Sequence, residues 1–362
     1  MKLEEVVKIN QGLQIPISER LTQPMEGAYF YITNEFLKES SEKKYFIKNP
    51  PHSVLCKKED ILMTRTGNTG MVVTDVEGAF HNNFFKVAYP NNIDKGFLYN
   101  FLKLPNTQKQ IIRLAGTSTI PDLNHSDFYR IKFIFPSKTE QEKIASFLSL
   151  IDGRIQTQSK IIEGLKTLKI TVAKKIFSQQ LRFKDDKGND YPKWGLKELG
   201  GVLDYEQPTN YLVSNIEYDD SFETPVVTAG KTFILGYTNE TEGIFEKEKL
   251  PVIIFDDFTT ASQYVDFMFK AKSSAMKILK AKKDNNIKFI YEAMQMINYE
   301  IGGHGRHWIS VFSNLEIPFP SLSEQQKIAN FLSSLDSKID IEVQLLKKLE
   351  EQKKFLLQDL FV

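Results

Sequence analysis

One long stretch of this chain occurs twice. FPSKTEQEKIASFLSLIDGRIQTQSKIIEGLKTLKITVAKKIF runs from Phe135 to Phe177, and FPSLSEQQKIANFLSSLDSKIDIEVQLLKKLEEQKKFLLQDLF runs from Phe319 to Phe361. Aligned without a gap, Pro136 falls on Pro320, Glu140-Gln141 on Glu324-Gln325, Ile144-Ala145 on Ile328-Ala329, Phe147-Leu148-Ser149 on Phe331-Leu332-Ser333, and Asp152 on Asp336. In each copy the apolar residues climb in alternating steps of four and three, the seam spacing of a coiled coil. The first seam is Ile144, Leu148, Ile151, Ile155, Ile162, Leu165, Val172 and Ile176; the second is Ile328, Leu332, Leu335, Ile339, Leu346, Leu349, Leu356 and Leu360. The same two steps are polar in both, Gln158 with Glu342 and Lys169 with Lys353. A Thr or Ser three residues before Glu or Gln (Thr139 with Glu142, Ser323 with Gln326) predicts the helix starts as capping boxes. Helices of about 40 residues span ~60 Å. So narrow a stripe cannot be buried by one helix, so the two are expected to pair with each other, the lysine-rich first against the more acidic second. Two unrelated amphipathic helices on local cores are the plainer alternative.

What lies before each copy is also alike. LEIPFPS (315–321) repeats IKFIFPS (131–137), and Leu199, Val202 and Leu203 lie over Leu3, Val6 and Val7. In the first unit LEEVVKINQG suits a short helix or strand ending at Gly12. AYFYIT (28–33), SVLCKK (53–58), DILMTR (60–65), GMVVTD (70–75), FFKVAYP (84–90) and IKFIFP (131–136) are short, β-branched or aromatic, and bounded by turn formers. GFLYNFLKLPNTQKQIIRLAG (96–116) reads as a helical pair broken near Pro105. RFKDDKGNDYPKW (182–194) is charged and poor in apolar residues, a linker. Strands recur at 225–230, 233–238, 250–259 and 264–272, followed by a helix over 288–301. The order is unit, helix, linker, unit, helix: a tandem duplication of α+β class with pseudo-twofold character.

With 41% hydrophobic and 26% charged residues, 362 residues suffice for two domains. Cys56 is the sole cysteine, so an internal disulfide is excluded. No signal-peptide core or apolar run of membrane length occurs, and a cytoplasmic protein without membrane contact is expected. A net charge of +1 argues against an indiscriminate nucleic-acid coat but leaves room for a local basic surface.

Enzyme signatures are missing. There is no GxxxxGK[ST] phosphate loop. Gly67-Asn68-Thr69-Gly70 reads as a tight turn between strands rather than a dinucleotide fingerprint. Asp256 and Asp257 in FDDF are neighbours on a strand and point to opposite faces, so they do not share a metal ion. HNNFF (81–85) lacks both prolines of an amino-methyltransferase motif. No catalytic residue, cofactor or metal is expected.

The stretches that look like recognition surfaces are polar loops. In the first unit they contain Arg65 and Asn68, His81, Asn82 and Asn83, and Thr117, Ser118 and Thr119. In the second they contain Lys231 and Thr232, Ser262 and Tyr264, Lys272 and Ser273, and His304, Arg306 and His307. Arg and Lys can read guanine, Asn and Gln adenine, and Ser or Thr can touch bases or phosphates. Taken singly, each is equally well an ordinary solvated loop, and the lysine run KAKSSAMKILKAKK (270–283) suits a phosphate-lining strip or a solvated surface alike.

Two variable units alternating with two helices, each introduced by P-S-x-[ST]-E-Q-x-K-I-A-x-F-L, resemble the specificity subunit of type I restriction-modification enzymes. The resemblance extends to KKEDILMTRTGNTG, LPVIIFDDFT and HWISVFSNLEIPFP. It implies two target-recognition domains (1–137 and 195–321) separated by a central helix (138–181) with its linker (182–194) and a C-terminal helix (322–362), the helices pairing as an antiparallel coiled coil. It further implies that each domain reads half of a split double-stranded DNA target, and that the helices act as spacer and dock two modification subunits, with restriction subunits joining later. One departure is that Met1-Lys2-Leu3 starts at the first unit with no counterpart of the DYPKW lead-in at 190–194. The rival readings are a coiled-coil scaffold without DNA reading and a self-sufficient methyltransferase, the latter disfavoured by its missing motifs.

Overall fold

A computed structural model describes residues 1–38, 41–133, 136–228, 230, 232–299 and 306–361. The chain divides into two compact units, Met1–Ser159 with Gln344–Val362, and Lys160–Val343.

Unit 1 opens with a 3-10 turn at Leu3–Glu5 and continues through β1 (Lys8–Gln11), β2 (Ala28–Ile32), β3 (Phe46–Lys48), β4 (Leu55–Cys56), β5 (Ile61–Thr64), β6 (Val72–Val73), β7 (Gly78–Phe80) and β8 (Phe84–Ala88). Helices α1 (Lys95–Lys103), α2 (Pro105–Ala115), α3 (His125–Tyr129) and the first part of α4 (Lys138–Phe177) follow. One sheet has the order β1-β8-β5-β6, all antiparallel, and the other β3-β2-β7-β4, with β2 parallel to β7. Central β5 explains why DILMTR reads as a continuous apolar run: successive strand residues point to opposite faces, and both faces are buried. Ile61 and Met63 join a core with Leu3, Val87, Phe97 and Leu148, while Leu62 joins another with Tyr31, Phe80 and Phe84.

Unit 2 repeats the plan. It contains β9 (Gly195–Glu198), α5 (Leu199–Val202), β10 (Leu203–Glu206), β11 (Thr224–Val227), β12 (Ile234–Thr238), β13 (Val252–Asp256), β14 (Ser262–Val265), β15 (Lys270–Ala271), β16 (Met276–Ala281), α6 (Ile287–Met294), β17 (Glu316–Phe319) and the first part of α7 (Leu322–Asp359). The sheet β10-β16-β13-β14 matches β1-β8-β5-β6, and β12-β11-β15 contains one antiparallel and one parallel pair, as around β2. On β13, Ile253 and Phe255 face one core and Val252 and Ile254 the other.

Several expectations shift. IKFIFP is not a strand among the described residues: Lys132 makes an isolated bridge to Lys2, and residues 134 and 135 lie outside the description. The lysine run at 270–283 is no solvated strip, because it forms β15 and β16. Lys270 pairs with Glu240, Lys277 with Asp257, Lys280 with Glu206 and Lys282 with Asp204. The α6 helix ends at Met294, short of the expected 301. The helical pair around Pro105 is present as α1 and α2.

The two long helices start at Ser137 and Ser321 rather than at the predicted Thr139 and Ser323. The Glu140 N–H donates to Ser137 Oγ at 3.3 Å, and the Gln141 and Gln325 N–H groups donate to the carbonyls of Ser137 and Ser321. All sixteen predicted seam residues are buried or half-buried. Apolar residues off the seam are exposed, including Leu150, Ile161, Leu168, Ile170, Ile341 and Phe355. Within unit 1, Lys353 of α7 forms an ion pair with Asp152 of α4. Within unit 2, Lys169 of α4 pairs with Asp336 of α7 at 2.6 Å. These are the same repeat positions with the helices exchanged, so each helix supplies one lysine and one acid. In unit 2 Lys288 and the buried Glu292 of α6 join the network. Burial opposes the Lys288 charge, but the Asp336 and Glu292 carboxylates more than offset this and hold its pKa above the ordinary lysine value. Among the described residues no helix is long and apolar enough to cross a membrane.

The duplicated Glu-Gln step has a physical role that the helical periodicity does not reveal. Gln141 and Gln325 are 0% and 1% exposed. Gln141 Oε1 accepts from the Asp94 N–H (2.9 Å) and Gln325 Oε1 from the Asn286 N–H (3.0 Å). Their amide nitrogens donate to Pro136 O and Pro320 O at 2.9 and 3.0 Å. Asp94 and Asn286 are themselves the N-caps of α1 and α6, accepting from Phe97 and Phe289 N–H. One buried amide therefore joins the start of each long helix to the start of the helix packed against the sheet. Replacing Gln141 or Gln325 by Ala leaves a buried N–H and C=O without these partners, and a loss of ~1–3 kcal/mol is expected in urea unfolding. A change within measurement error at both sites would mean that these amides do not hold the helix starts.

Candidate nucleic-acid interface

In unit 1 the candidate residues lie on three segments that meet beyond the end of β5. The β5–β6 turn carries Arg65 and Asn68, with Gly67 and Gly70 at φ values of 76° and 92° that side-chain-bearing residues rarely adopt. The β7–β8 turn carries His81, Asn82 and Asn83, and its Asn83 carbonyl accepts from the Arg65 N–H at 2.7 Å. The loop at 116–124 joins through Leu123, whose N–H donates to Arg65 O at 2.9 Å.

A carboxylate ties the first and third segments together. Asp122 takes Arg65 Nη2 on one oxygen at 2.6 Å and the Thr66 hydroxyl on the other, while Arg65 Nε donates to Leu123 O at 3.2 Å. Thr69 Oγ1 adds a bond to Pro121 O at 2.6 Å. Arg65 also lies over the Phe85 ring, 5.7 Å from its centroid. Two of its donors are thus committed to the fold, and its role here is to position the loops. Asn68 and Thr117, Ser118 and Thr119 remain exposed on the surface that the clamp holds.

The β7–β8 turn is less available. Asn82 Nδ2 donates to Gln14 Oε1 at 3.0 Å, and Asn82 O accepts from Gln11. His81 Nδ1 accepts from the Asn83 N–H at 3.1 Å. Burial, and then the nearby Arg20 charge, lower the His81 pKa to about 4, so the ring is neutral and works as an acceptor inside the turn.

In unit 2 the candidates fall into separate groups. Thr232 O accepts from Thr228 Oγ1, and the Lys272 N–H donates to Val227 O, which brings Thr232, Lys272 and the adjoining exposed Ser273 to one end of β11. Lys272 Nζ stands 5.5 Å from the Tyr218 ring centroid. Ser262 and Tyr264 instead face α6: Gln295 donates to Ser262 Oγ at 2.8 Å, and Lys288 lies over the Tyr264 ring at 4.7 Å. Arg306 is exposed and His307 buried. Lys231 and His304 lie outside the described residues.

The segment 306–308 is held by Asp257, one of the two acids of FDDF. Asp257 O accepts from the His307 N–H, Asp257 Oδ1 from the Trp308 N–H at 2.9 Å, and Oδ2 pairs with Lys277 at 3.3 Å, both ionic side chains being 2% exposed. Asp256 turns away to accept from the Phe258 and Thr259 N–H groups. In each unit, then, a carboxylate fastens the loop after the central strand to a segment upstream of the long helix. Asp122 in unit 1 and Asp257 in unit 2 come from opposite sides of that junction. Sequence reasoning missed Asp122, and its one signal is an acid following Pro121 in a loop otherwise poor in charge. Among the described residues no group of three His, Cys, Asp or Glu side chains could hold a metal ion.

The family model for the type I restriction modification DNA specificity domain matches residues 1–167 and again 191–351. The chain belongs to that family. It is 48% identical over 164 residues to the EcoR124I/EcoR124II specificity subunit of Escherichia coli, a match that takes in 41% of each chain. It is 26% identical over 390 residues to the MjaVIII specificity subunit of Methanocaldococcus jannaschii, covering 97% of this chain and 90% of that one. The crystal structure of the S subunit of a type I restriction-modification system from M. genitalium superposes with a TM-score of 0.65 at 19% identity, over 100% of this chain and 95% of the other, which establishes the shared fold.

Two outcomes test the clamps and the turn. Asp257→Ala strands the buried Lys277 charge and is expected to cost ~3–5 kcal/mol in urea unfolding. Asp122→Ala, at a half-exposed pair, is expected to cost no more than ~1 kcal/mol, and equal losses would refute this division. For His81, the unfolded state binds a proton below the ordinary histidine pKa of about 6.5 and the folded state only below about 4. Its contribution to stability is therefore full above that upper value and is lost as pH falls through the window. His81→Asn should flatten the stability profile there, and an unchanged profile would overturn the assignment.

Proposed function

We propose that this chain is the non-catalytic DNA sequence-specificity subunit of a type I restriction-modification complex. Residues 1–137 and 195–321 act as two target-recognition domains, each reading one half of a bipartite double-stranded target through the loops that the Asp122 and Asp257 clamps hold. The observation that carries this reading is the repeated placement of a carboxylate-tied loop junction at the end of a doubly buried strand, on a chain whose two halves both match the specificity family. Such a scaffold holds loops rigidly while their exposed side chains differ, which suits base-edge reading.

The two long helices pair as an antiparallel coiled coil that spaces the recognition domains and docks modification subunits, with restriction subunits joining the assembly. Support comes from the seam burial and from the Lys353–Asp152 and Lys169–Asp336 pairs, each joining the early part of one helix to the late part of the other. In each unit exposed off-seam residues offer apolar contact to a partner, Leu150 and Phe355 in unit 1 and Leu168 and Ile341 in unit 2. The complex works in the cytoplasm, where the DNA is.

Exchanging residues 1–135 for the matching unit of a relative, and mapping adenine methylation in cells that also express the modification subunit, should change one half of the methylated sequence and leave the other intact. A change in both halves would refute independent reading. Methylation that ignores the exchange would favour a scaffold that does not read DNA.

A further inference from the structure

Each clamped junction also presents a large apolar side chain to solvent. In unit 1 the Asp122 N–H donates to Ala115 O at 3.2 Å and closes the loop 116–121 at its neck. Within the loop Ser118 Oγ donates to Ile120 O at 2.7 Å, and Thr69 Oγ1 donates to Pro121 O at 2.6 Å. The backbone at Ile120 is thus held on both sides, yet the residue is 62% exposed. In unit 2 the Asp256 N–H donates to Ala261 O at 2.8 Å across the turn between β13 and β14, and the Thr260 N–H donates to Asp256 O at 2.9 Å. Phe258 lies inside that turn with its own N–H on Asp256 Oδ1 at 2.9 Å, and it is 42% exposed.

Exposed apolar side chains scattered singly over a surface call for no function. Place distinguishes these two. Ile120 stands two residues before Asp122 and Phe258 one residue after Asp257, so each adjoins the carboxylate that fastens the loops of its unit. Neither side chain belongs to the hydrophobic cores of its unit. Their neighbours are exposed polar residues. In unit 1 these are Thr117, Ser118 and Thr119 in the same loop, with Asn68 across the Thr69–Pro121 bond. In unit 2 they are Thr259 in the same turn, with Arg306 across the bond from the His307 N–H to Asp257 O. One rigidly held apolar side chain among polar ones recurs at both junctions, on loops of different sequence and origin.

We propose that Ile120 and Phe258 are specificity-determining residues that read the 5-methyl group of thymine, one in each half of the target, an assignment that rests on the DNA-reading role of the two domains. In the major groove the base pairs differ by hydrogen-bond donors and acceptors, and the thymine methyl is the one apolar feature among them. Polar loop residues answer the donors and acceptors; an apolar side chain answers the methyl. Contact takes the methyl and the isoleucine or phenylalanine surface out of water together. The pinned backbone keeps the ordering cost of that contact low.

The test uses the chain assembled with its modification subunits and fluorescently labelled duplexes carrying the target that methylation mapping defines. Each thymine in turn is replaced by uracil, which lacks only the methyl group. In each half at least one replacement is expected to weaken binding about fourfold, the worth of one buried methyl-sized group. Ile120→Ser should abolish the thymine–uracil difference in the half read by residues 1–137 and leave it in the other, and Phe258→Ser should do the reverse. Ile120→Val and Phe258→Leu should keep it in both. Both side chains are exposed, so thermal melting of the serine variants should match the unaltered chain; if one of them fails to fold, Ile120→Ala or Phe258→Ala decides in its place. A difference that survives the substitution would assign the methyl to another residue and overturn the proposal for that unit, as would uracil accepted throughout a half or a half without an A·T pair. If the target is still preferred over a scrambled duplex in those cases, the DNA-reading role stands and only the methyl contact falls. Equal binding of target and scrambled duplexes by the unaltered complex would remove that role and the proposal with it.

Discussion

The buried glutamine at the start of each long helix is the bond on which the architecture turns. A helix start has N–H groups without intrahelical partners, and a helix packed against a sheet has the same need. Gln141 and Gln325 meet the requirement by spanning from the entry of one helix to the entry of the other. An apolar residue at that position could fill the space but could not satisfy the amide of Asp94 or Asn286. The direction in which each long helix leaves its unit is therefore set by a directional bond rather than by apolar contact alone, which is non-directional.

Charge is distributed with similar economy. The lysines of 270–283 read as a surface strip in one dimension, yet Lys270 and Lys277 point inward to Glu240 and Asp257. That run shows why a charged stretch is a poor guide to a binding face: its acidic partners are distant in sequence. The ion pairs between α4 and α7 carry a related lesson. A bulk difference in lysine content suggested a basic helix against an acidic one, whereas each helix contributes one lysine and one acid.

The parts of the fold that were legible in the sequence are those governed by short periods. The seam residues from Ile144 to Leu360 were readable because spacing alone determines which side of a helix they occupy, and the helical pair around Pro105 because proline interrupts the backbone locally. The cap positions were misjudged by two residues, since Ser137 and Thr139 are both capable caps and only the path of the preceding chain selects one. At the candidate interface, residue type identified Asn68 and Thr117–Thr119 on exposed loops, but it also selected Arg65 and His81, whose polar groups are largely engaged within the protein. Asp122 and Asp257 escaped notice as positioning groups because the segments they fasten, at Arg65 and Trp308, lie more than fifty residues away.

Strand β5 and its counterpart β13 each separate two hydrophobic cores, with neighbouring residues committed to opposite sides. Sliding such a strand by one residue would exchange the contents of the two cores. Met63 would enter the space shaped for Leu62, and Phe255 that shaped for Ile254. The strand is thereby indexed in whole-residue steps with a heavy penalty for any misstep, like a toothed rack held from both sides. The turn at its tip inherits that indexing: loop sequences can be rewritten freely while their point of attachment stays in place.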